Sequence, residues 1–341
     1  MTTMPKRTAG AALLGVILAG VVFPAQAQNA TLRLELGWLP SGDKAYVYTA
    51  VAQGFYAQEG LEVEINSSRG SNDALTKLAA GSADVALLGM PALMAARVEN
   101  QLPVKAIMSV HTLQPDALFT YSGSGIDSLA ATVGKRVGTS AFTSSNTLWP
   151  VMLEHNGVTP DQVTLVKVDP GTLGPMLARG QLDAIINWVP DAPRVALLLE
   201  QTGRELIALP WSDAGLDGYG QVVAAPEALI ESHPEQLEGF VRATLRGLEY
   251  ANAHPDQAAQ ALVAAVQEAD AEVIEAEYRA AIGLIDSPIA QRDGLGALSP
   301  AMLAANWRWV SASMDYSTDR LDPDSVVDRR FLANDAPPVQ E

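Results

Sequence analysis

The sequence predicts an α/β fold built of two strand-and-helix blocks and a helical tail. Three observations lead there. From residue 31 onward, segments with strand periodicity alternate with segments of helix periodicity, the order of a mostly parallel sheet covered by helices. The alternation restarts after residue 116, so there are two such blocks. Beyond residue 225 only helical segments follow, and a tail without strands must rest on a block that has them.

In the first block, Thr31 to Leu36 alternates apolar and polar residues as a strand does. Trp38-Leu39-Pro40-Ser41-Gly42-Asp43 reads as a loop leading into a helix from Lys44 to Gln58, which Gly60 ends. Leu61 to Ile65 alternates again. Ser71 or Asn72 caps a helix running to Ala80. Asp84 to Leu88 is a short buried strand, Pro91 opens a helix, and Val104 to Val110 is a further strand.

The second block begins with Ala117 to Tyr121. Its strands are Lys135 to Thr139, Val163 to Val168, Asp183 to Trp188 and Glu205 to Leu209. Between them, a Ser/Thr-rich turn from Thr139 to Asn146 opens a helix to Glu154, and Thr172 to Ala178 and Asp191 to Gln201 are helical. Gln221 to Ala225 is the last strand. The tail helices are Pro226 to Ser232, Pro234 to Ala253, Pro255 to Gln267, Ala271 to Leu284 and Pro300 to Met314. The tail is expected on the first block, so residues 28–115 with 220–341 form one lobe and 116–219 the other. Crossings near Asp116 and Tyr219 would make a hinge, and the cleft between the lobes is the expected ligand site.

Residues 1–27 carry the parts of a cleaved signal peptide: Lys6 and Arg7, an apolar run from Ala9 to Val22, then Pro24 and Ala25-Gln26-Ala27. The run is shorter than the roughly 20 residues that span a bilayer. A mature chain from Gln28 is expected in the periplasm, soluble and not lipidated, since there is no cysteine to carry a lipid. A chain of this size can bury its core without disulfides. The net charge of −17 argues against nucleic acid or an anionic membrane as a partner. No nucleophile elbow, phosphate loop or zinc spacing is present, so no catalytic residue, metal or cofactor is expected. Of the histidines, His111 follows a strand near the first crossing and is the one to watch.

Candidate ligand residues sit where strands end, because ligands of open α/β sheets bind there. Trp38 follows the first strand and can stack on a planar ring, with Ser41 in the same loop. Gly89 and Met90, before the Pro91 helix, could offer backbone N–H donors. Ser140, Phe142, Ser144, Ser145 and Asn146 form a hydroxyl-rich helix start suited to an anion or a carbonyl oxygen, with Phe142 as a second aromatic wall. Asn187 offers a donor and an acceptor beside Trp188. Tyr219 lies in the return crossing, within reach of the cleft. Lys44 is expected in solvent and Arg69 at the surface; Asp191 could pair with an amino group, but an acid at a helix start is more often a partner for the helix dipole.

Gly37-Trp38-Leu39-Pro40-Ser41-Gly42-Asp43-Lys44-Ala45, followed by Val51-Ala52-Gln53-Gly54-Phe55-Tyr56-Ala57-Gln58-Glu59-Gly60-Leu61-Glu62-Val63, resembles the opening of a family of solute-binding proteins of ABC transporters. These are the NMT1/THI5-like, thiamine-pyrimidine-precursor, nitrate, sulfonate and taurine binders. Gly81-Ser82-Ala83-Asp84-Val85, Gly134-Lys135-Arg136-Val137-Gly138, Leu177-Ala178-Arg179-Gly180-Gln181-Leu182-Asp183-Ala184 and Phe240-Val241-Arg242-Ala243-Thr244-Leu245-Arg246-Gly247 continue the likeness in order. The resemblance implies a type II periplasmic-binding-protein fold. It also implies a monomer that delivers a small molecule to an inner-membrane ABC permease with its cytoplasmic ATPase. The Trp38 loop and Gly215-Leu216-Asp217-Gly218-Tyr219-Gly220 look like the pyrimidine-precursor branch, which implies a small planar nitrogen heterocycle. Asn187-Trp188-Val189-Pro190 looks like the sulfonate and taurine branch, which implies a small anion instead. The pyrimidine binders tend to place a glutamate near Trp188, where this chain has Val189-Pro190-Asp191. The same fold also resembles single-turnover pyrimidine synthases that rely on a cysteine-rich motif, and this chain has no cysteine.

Overall fold

The computed structural model describes residues 1–4 and 29–332. Apart from its first four residues, the segment read as a signal peptide lies outside the described residues. In chain order the first block comprises β1 (Ala30–Glu35), α1 (Ala45–Ala52), α2 (Phe55–Gln58), β2 (Leu61–Asn66), α3 (Ser71–Ala79), β3 (Val85–Gly89), α4 (Met90–Asn100) and β4 (Val104–Ser109). The second comprises β5 (Asp116–Tyr121), β6 (Arg136–Ser140), α5 (Ser145–His155), β7 (Thr164–Val168), α6 (Leu173–Ala178), β8 (Ala184–Trp188), α7 (Ala192–Glu200) and β9 (Leu206–Pro210). The chain returns as β10 (Gln221–Pro226) and continues through α8 (Glu227–Ser232), α9 (Pro234–Ala253), α10 (Pro255–Ala265), α11 (Ala271–Ile285), α12 (Pro288–Asp293) and α13 (Pro300–Ser313).

These strands form two five-stranded sheets, ordered β2-β1-β3-β10-β4 and β7-β6-β8-β5-β9. Both sheets are mixed where the sequence predicts mostly parallel ones. β10 runs antiparallel to β3 and β4, and β5 runs antiparallel to β8 and β9. The reversed strands are the two that carry the chain from one sheet to the other. A parallel neighbour needs a long crossover, usually a helix, and no α-helix separates β4 from β5 or β9 from β10. β3, Val-Ala-Leu-Leu-Gly, is buried at every residue, as its unbroken apolar run requires of an inner strand.

The single helix expected from Lys44 to Gln58 is broken. A 3₁₀ turn spans Gly42–Lys44, α1 ends at Ala52, and Gly54 at φ 70° separates α1 from α2. α9 and α10 lie on α1, so this part of the tail covers the first sheet as expected. α13 does more than cover: it packs against both α4 and α5. Its Leu303, Trp307 and Val310, at helical spacing, share one core with Met90, Leu93 and Met94 of α4 and Leu148, Trp149 and Met152 of α5. The two chain segments linking the sheets are tied together there. The Gly220 N–H donates to the His111 carbonyl at 2.9 Å. Gln114 Nε2 donates to the Tyr219 carbonyl at 2.9 Å. Asn306 of α13 accepts from the Tyr219 N–H at 2.7 Å and donates to its carbonyl at 2.9 Å.

Candidate functional site

The carboxyl end of β1 and that of β8 face each other across a small, partly enclosed cavity. Gly37, Trp38, Asp43 and Lys44 line it from the first sheet's side, together with Ser71 at the start of α3. Ile186, Asn187, Trp188, Asp191 and Thr143 line it from the second. The Trp188 indole is fixed in place: its N–H donates to Asp116 Oδ1 at 3.2 Å, and the His111 ring meets it edge-on with centroids 5.7 Å apart.

Of the residues singled out in the sequence, Trp38, Asn187 and Trp188 come together here. The others do different work. Ser41 donates to Asp43 at 2.7 Å and accepts from Lys44 at 3.2 Å. The Gly89 N–H is taken by Ser71 Oγ at 3.0 Å, and the Met90 N–H by the Gly220 carbonyl at 2.9 Å. Neither backbone donor is free for a ligand. Ser144 sits over Gly89, so close that a Cβ there would fall 2.3 Å from its Oγ. The hydroxyl-rich turn is largely self-satisfied. Ser140 donates to the Arg69 carbonyl at 2.7 Å, Asn146 bonds Thr139 and the Ser140 carbonyl, and Ser145 pairs with Thr143. Phe142 lies away from the cavity, with the Arg69 guanidinium 4.4 Å above its ring, a cation–π contact that gives Arg69 a use beyond the solvated surface role expected of it. Tyr219 does not reach the cavity: it is fully buried in the core, its hydroxyl accepting from the Ser299 N–H at 2.7 Å. A tyrosine flanked by glycines reads as an exposed turn, but Asn306 holds its backbone inside.

Sequence reasoning missed a buried set of charges. Lys44, expected in solvent, is 1 % exposed, and its Nζ lies 2.8 and 2.7 Å from the two Asp43 oxygens. Arg194 of α7 makes a two-pronged contact, 2.7 and 3.0 Å, with Glu277 of α11. Glu277 has no exposed surface and also accepts the Gly42 N–H at 2.7 Å. This pair links the side of the second sheet to the tail. Asp191, read as a helix-dipole partner, is 7 % exposed and lines the cavity, and its carboxyl has no hydrogen bond among the described residues. Only Asp43, Lys44 and Asp191 lay near loops already under suspicion. Nothing in a run such as Val273-Ile274-Glu275-Ala276-Glu277 marks which glutamate turns inward.

The environment sets the charges. Burial, reinforced by the negative charges of Glu277 and Asp43, pushes the Asp191 carboxyl up to about 8, although Lys44 and Arg194 pull the other way. Burial also opposes ionisation of Asp43, but Lys44, His111 and Ser41 outweigh it and hold its pKa below the usual value. Burial raises Asp116 to about 6 against the hydrogen bonds from Ser145 and Trp188. It lowers His111 to about 4, so the imidazole is neutral, and neither ring nitrogen has a partner among the described residues.

Two mixed sheets, doubly linked, with a cavity at the facing strand ends, define the two-lobed periplasmic-binding-protein class of fold. An alkanesulfonate-binding protein of Xanthomonas axonopodis, solved with MOPS bound, superposes with a TM-score of 0.66 at 16 % identity, over 89 % of this chain and 99 % of that one. Residues 42–258 match the family described as NMT1/THI5 like, and the chain belongs to that family. A formylaminopyrimidine-binding protein of Halalkalibacterium halodurans is 28 % identical over 72 % of this chain and 73 % of its own length. A 4-amino-5-hydroxymethyl-2-methylpyrimidine phosphate synthase of Legionella pneumophila is 25 % identical over 67 % and 72 %. Among the described residues, no helix is long and apolar enough to cross a membrane, and no cluster of three or more histidine, cysteine or carboxylate side chains could hold a metal.

Proposed function

We propose that this chain is the exported solute-binding component of an ABC importer, and that it captures a small planar nitrogen heterocycle of the thiamine-precursor or related vitamin type. One observation carries the reading: two indoles, Trp38 and Trp188, line one cavity from opposite sheets. Flat rings gain from such walls, because aromatic contacts add about 0.5–1.5 kcal/mol beyond buried area. Asn187 supplies a donor and an acceptor for ring nitrogens and amino groups. The formylaminopyrimidine-binding relative supports the same ligand class. In this reading residues 28–115 with 220–341 close on residues 116–219 about the paired crossings, and the closed form presents itself to a permease in the inner membrane.

A small anion such as a sulfonate or nitrate fits less well. An anion site needs a committed cation or a nest of free donors. Here Lys44 and Arg194 are each engaged by a carboxylate, and the donors of the Ser/Thr turn are taken. A synthase role has less support still: the chain has no cysteine, and His111 is enclosed.

A thermal-shift and calorimetric screen of the purified protein tests the reading, using aminopyrimidines, other vitamin-type rings, alkyl sulfonates, taurine and nitrate. A ligand at about 100 times its Kd stabilises the native state by about 2.7 kcal/mol. The expected result is a heterocycle hit that Trp38→Ala weakens. A response confined to sulfonates or nitrate overturns the proposal.

A further inference from the structure

Resting on the reading of the Trp38–Trp188 cavity as the ligand site, we infer that this site selects a flat ring carrying a positive charge or a strongly basic N–H group, with the Asp191 carboxylate as its partner. The first support is the charge inventory around the cavity. Asp43 and Lys44 neutralise one another at 2.7 Å, and Arg194 and Glu277 do so at 2.7 Å. Asp191 is left over, nine-tenths buried and facing the cavity with no hydrogen bond among the described residues. A buried carboxyl without a partner is costly, and the cost is removed when a ligand supplies the missing donor or charge.

The second support is the character of the walls. Indole faces carry negative potential and attract cations. Lys44 Nζ stands 5.9 Å from the Trp188 centroid and is already held by Asp43. Asp116, behind Trp188, accepts the indole N–H and polarises the ring further toward holding positive charge. An anionic ligand would meet the Asp43 carboxylate in the cavity wall, and Lys44 and Arg194 are each already engaged by a carboxylate.

Calorimetry with three probes of nearly one shape tests this. The probes are 1-methylnicotinamide, a permanent cation; nicotinamide, its neutral counterpart; and nicotinate, the anion. The cation should bind about tenfold or more tighter than the neutral ring, as a charge-assisted contact implies, and nicotinate should not bind. Asp191→Asn should abolish that ratio, whereas Trp38→Ala should weaken every ring alike. Equal affinity for cation and neutral ring overturns the inference, as does a ratio unmoved by Asp191→Asn. So does the failure of every cationic ring to bind at millimolar concentration. If Asp191→Asn does not fold, the ratio in the unaltered protein decides. The underlying heterocycle reading falls separately, when no flat ring of any charge binds and a sulfonate or nitrate does.

Discussion

Replacing Arg194 with methionine removes the ion pair that joins the second-sheet side of the cleft to the tail helix α11. Glu277 would then be a carboxyl without exposed surface, left with one hydrogen bond, from the Gly42 N–H. Breaking a buried pair from one side costs about 3–5 kcal/mol. The guanidinium is 42 % exposed, so solvent already screens part of the attraction. The Glu277 carboxyl, its pKa raised by burial despite Arg194, can also take up a proton. A net cost of about 2 kcal/mol to the closed arrangement is therefore expected, or roughly 30-fold in the equilibrium between closed and open forms. Small-angle scattering should show the unliganded variant more expanded, and ligand affinity should fall by up to that factor, since a ligand must then restore the closed population itself. Adding Glu277→Gln to Arg194→Met should recover much of the loss, because no charge is left stranded. If the single variant keeps its scattering profile and binds within about threefold of the original, the pair is not holding the two sides together and the reasoning fails.

Three further outcomes follow from the geometry. Asp191, with Glu277, Asp43, Lys44 and Arg194 around it, titrates near 8 in the empty site, so a permanent cation must expel its proton below that pH. Affinity for such a cation, measured by calorimetry, should rise by about tenfold per pH unit between about 6 and 8 and level off above, and Asp191→Asn should flatten the profile. Gly70 has φ 151° and would place a Cβ 2.3 Å from the Phe142 carbonyl, where the Asn72 N–H also bonds at 2.9 Å. Gly70→Ala should thus weaken ligand binding about tenfold or more, with far-UV circular dichroism unchanged. Asn306→Ala strips both backbone hydrogen bonds it makes to Tyr219, at about 1–3 kcal/mol for a buried group left short of partners, and should lower Tm by about 2–6 °C in a thermal melt.

The sequence by itself determined the strands and most of the helices, because period and punctuation are local properties: β3 reads as an unbroken apolar run, and the prolines at 234, 255 and 300 stand at helix starts. It also determined that Trp38 follows a strand and Trp188 ends one, and so that they belong where an α/β sheet presents ligands. Tertiary structure alone decided which polar residues face the cavity and which are consumed. The Ser/Thr turn looked like a donor nest, yet its hydroxyls bond to Asn146 and to each other within the turn, and Ser140 donates to the Arg69 carbonyl, 71 residues away, a contact no local pattern records. Lys44 and Glu277 are 233 positions apart in the chain and enter one charge network through Asp43, Gly42 and Arg194. Burial of a charge depends on what long-range packing brings to it. Hydrophobic period reports only that a face turns inward, not which ionised groups meet there or which of them, like Asp191, is left without a partner.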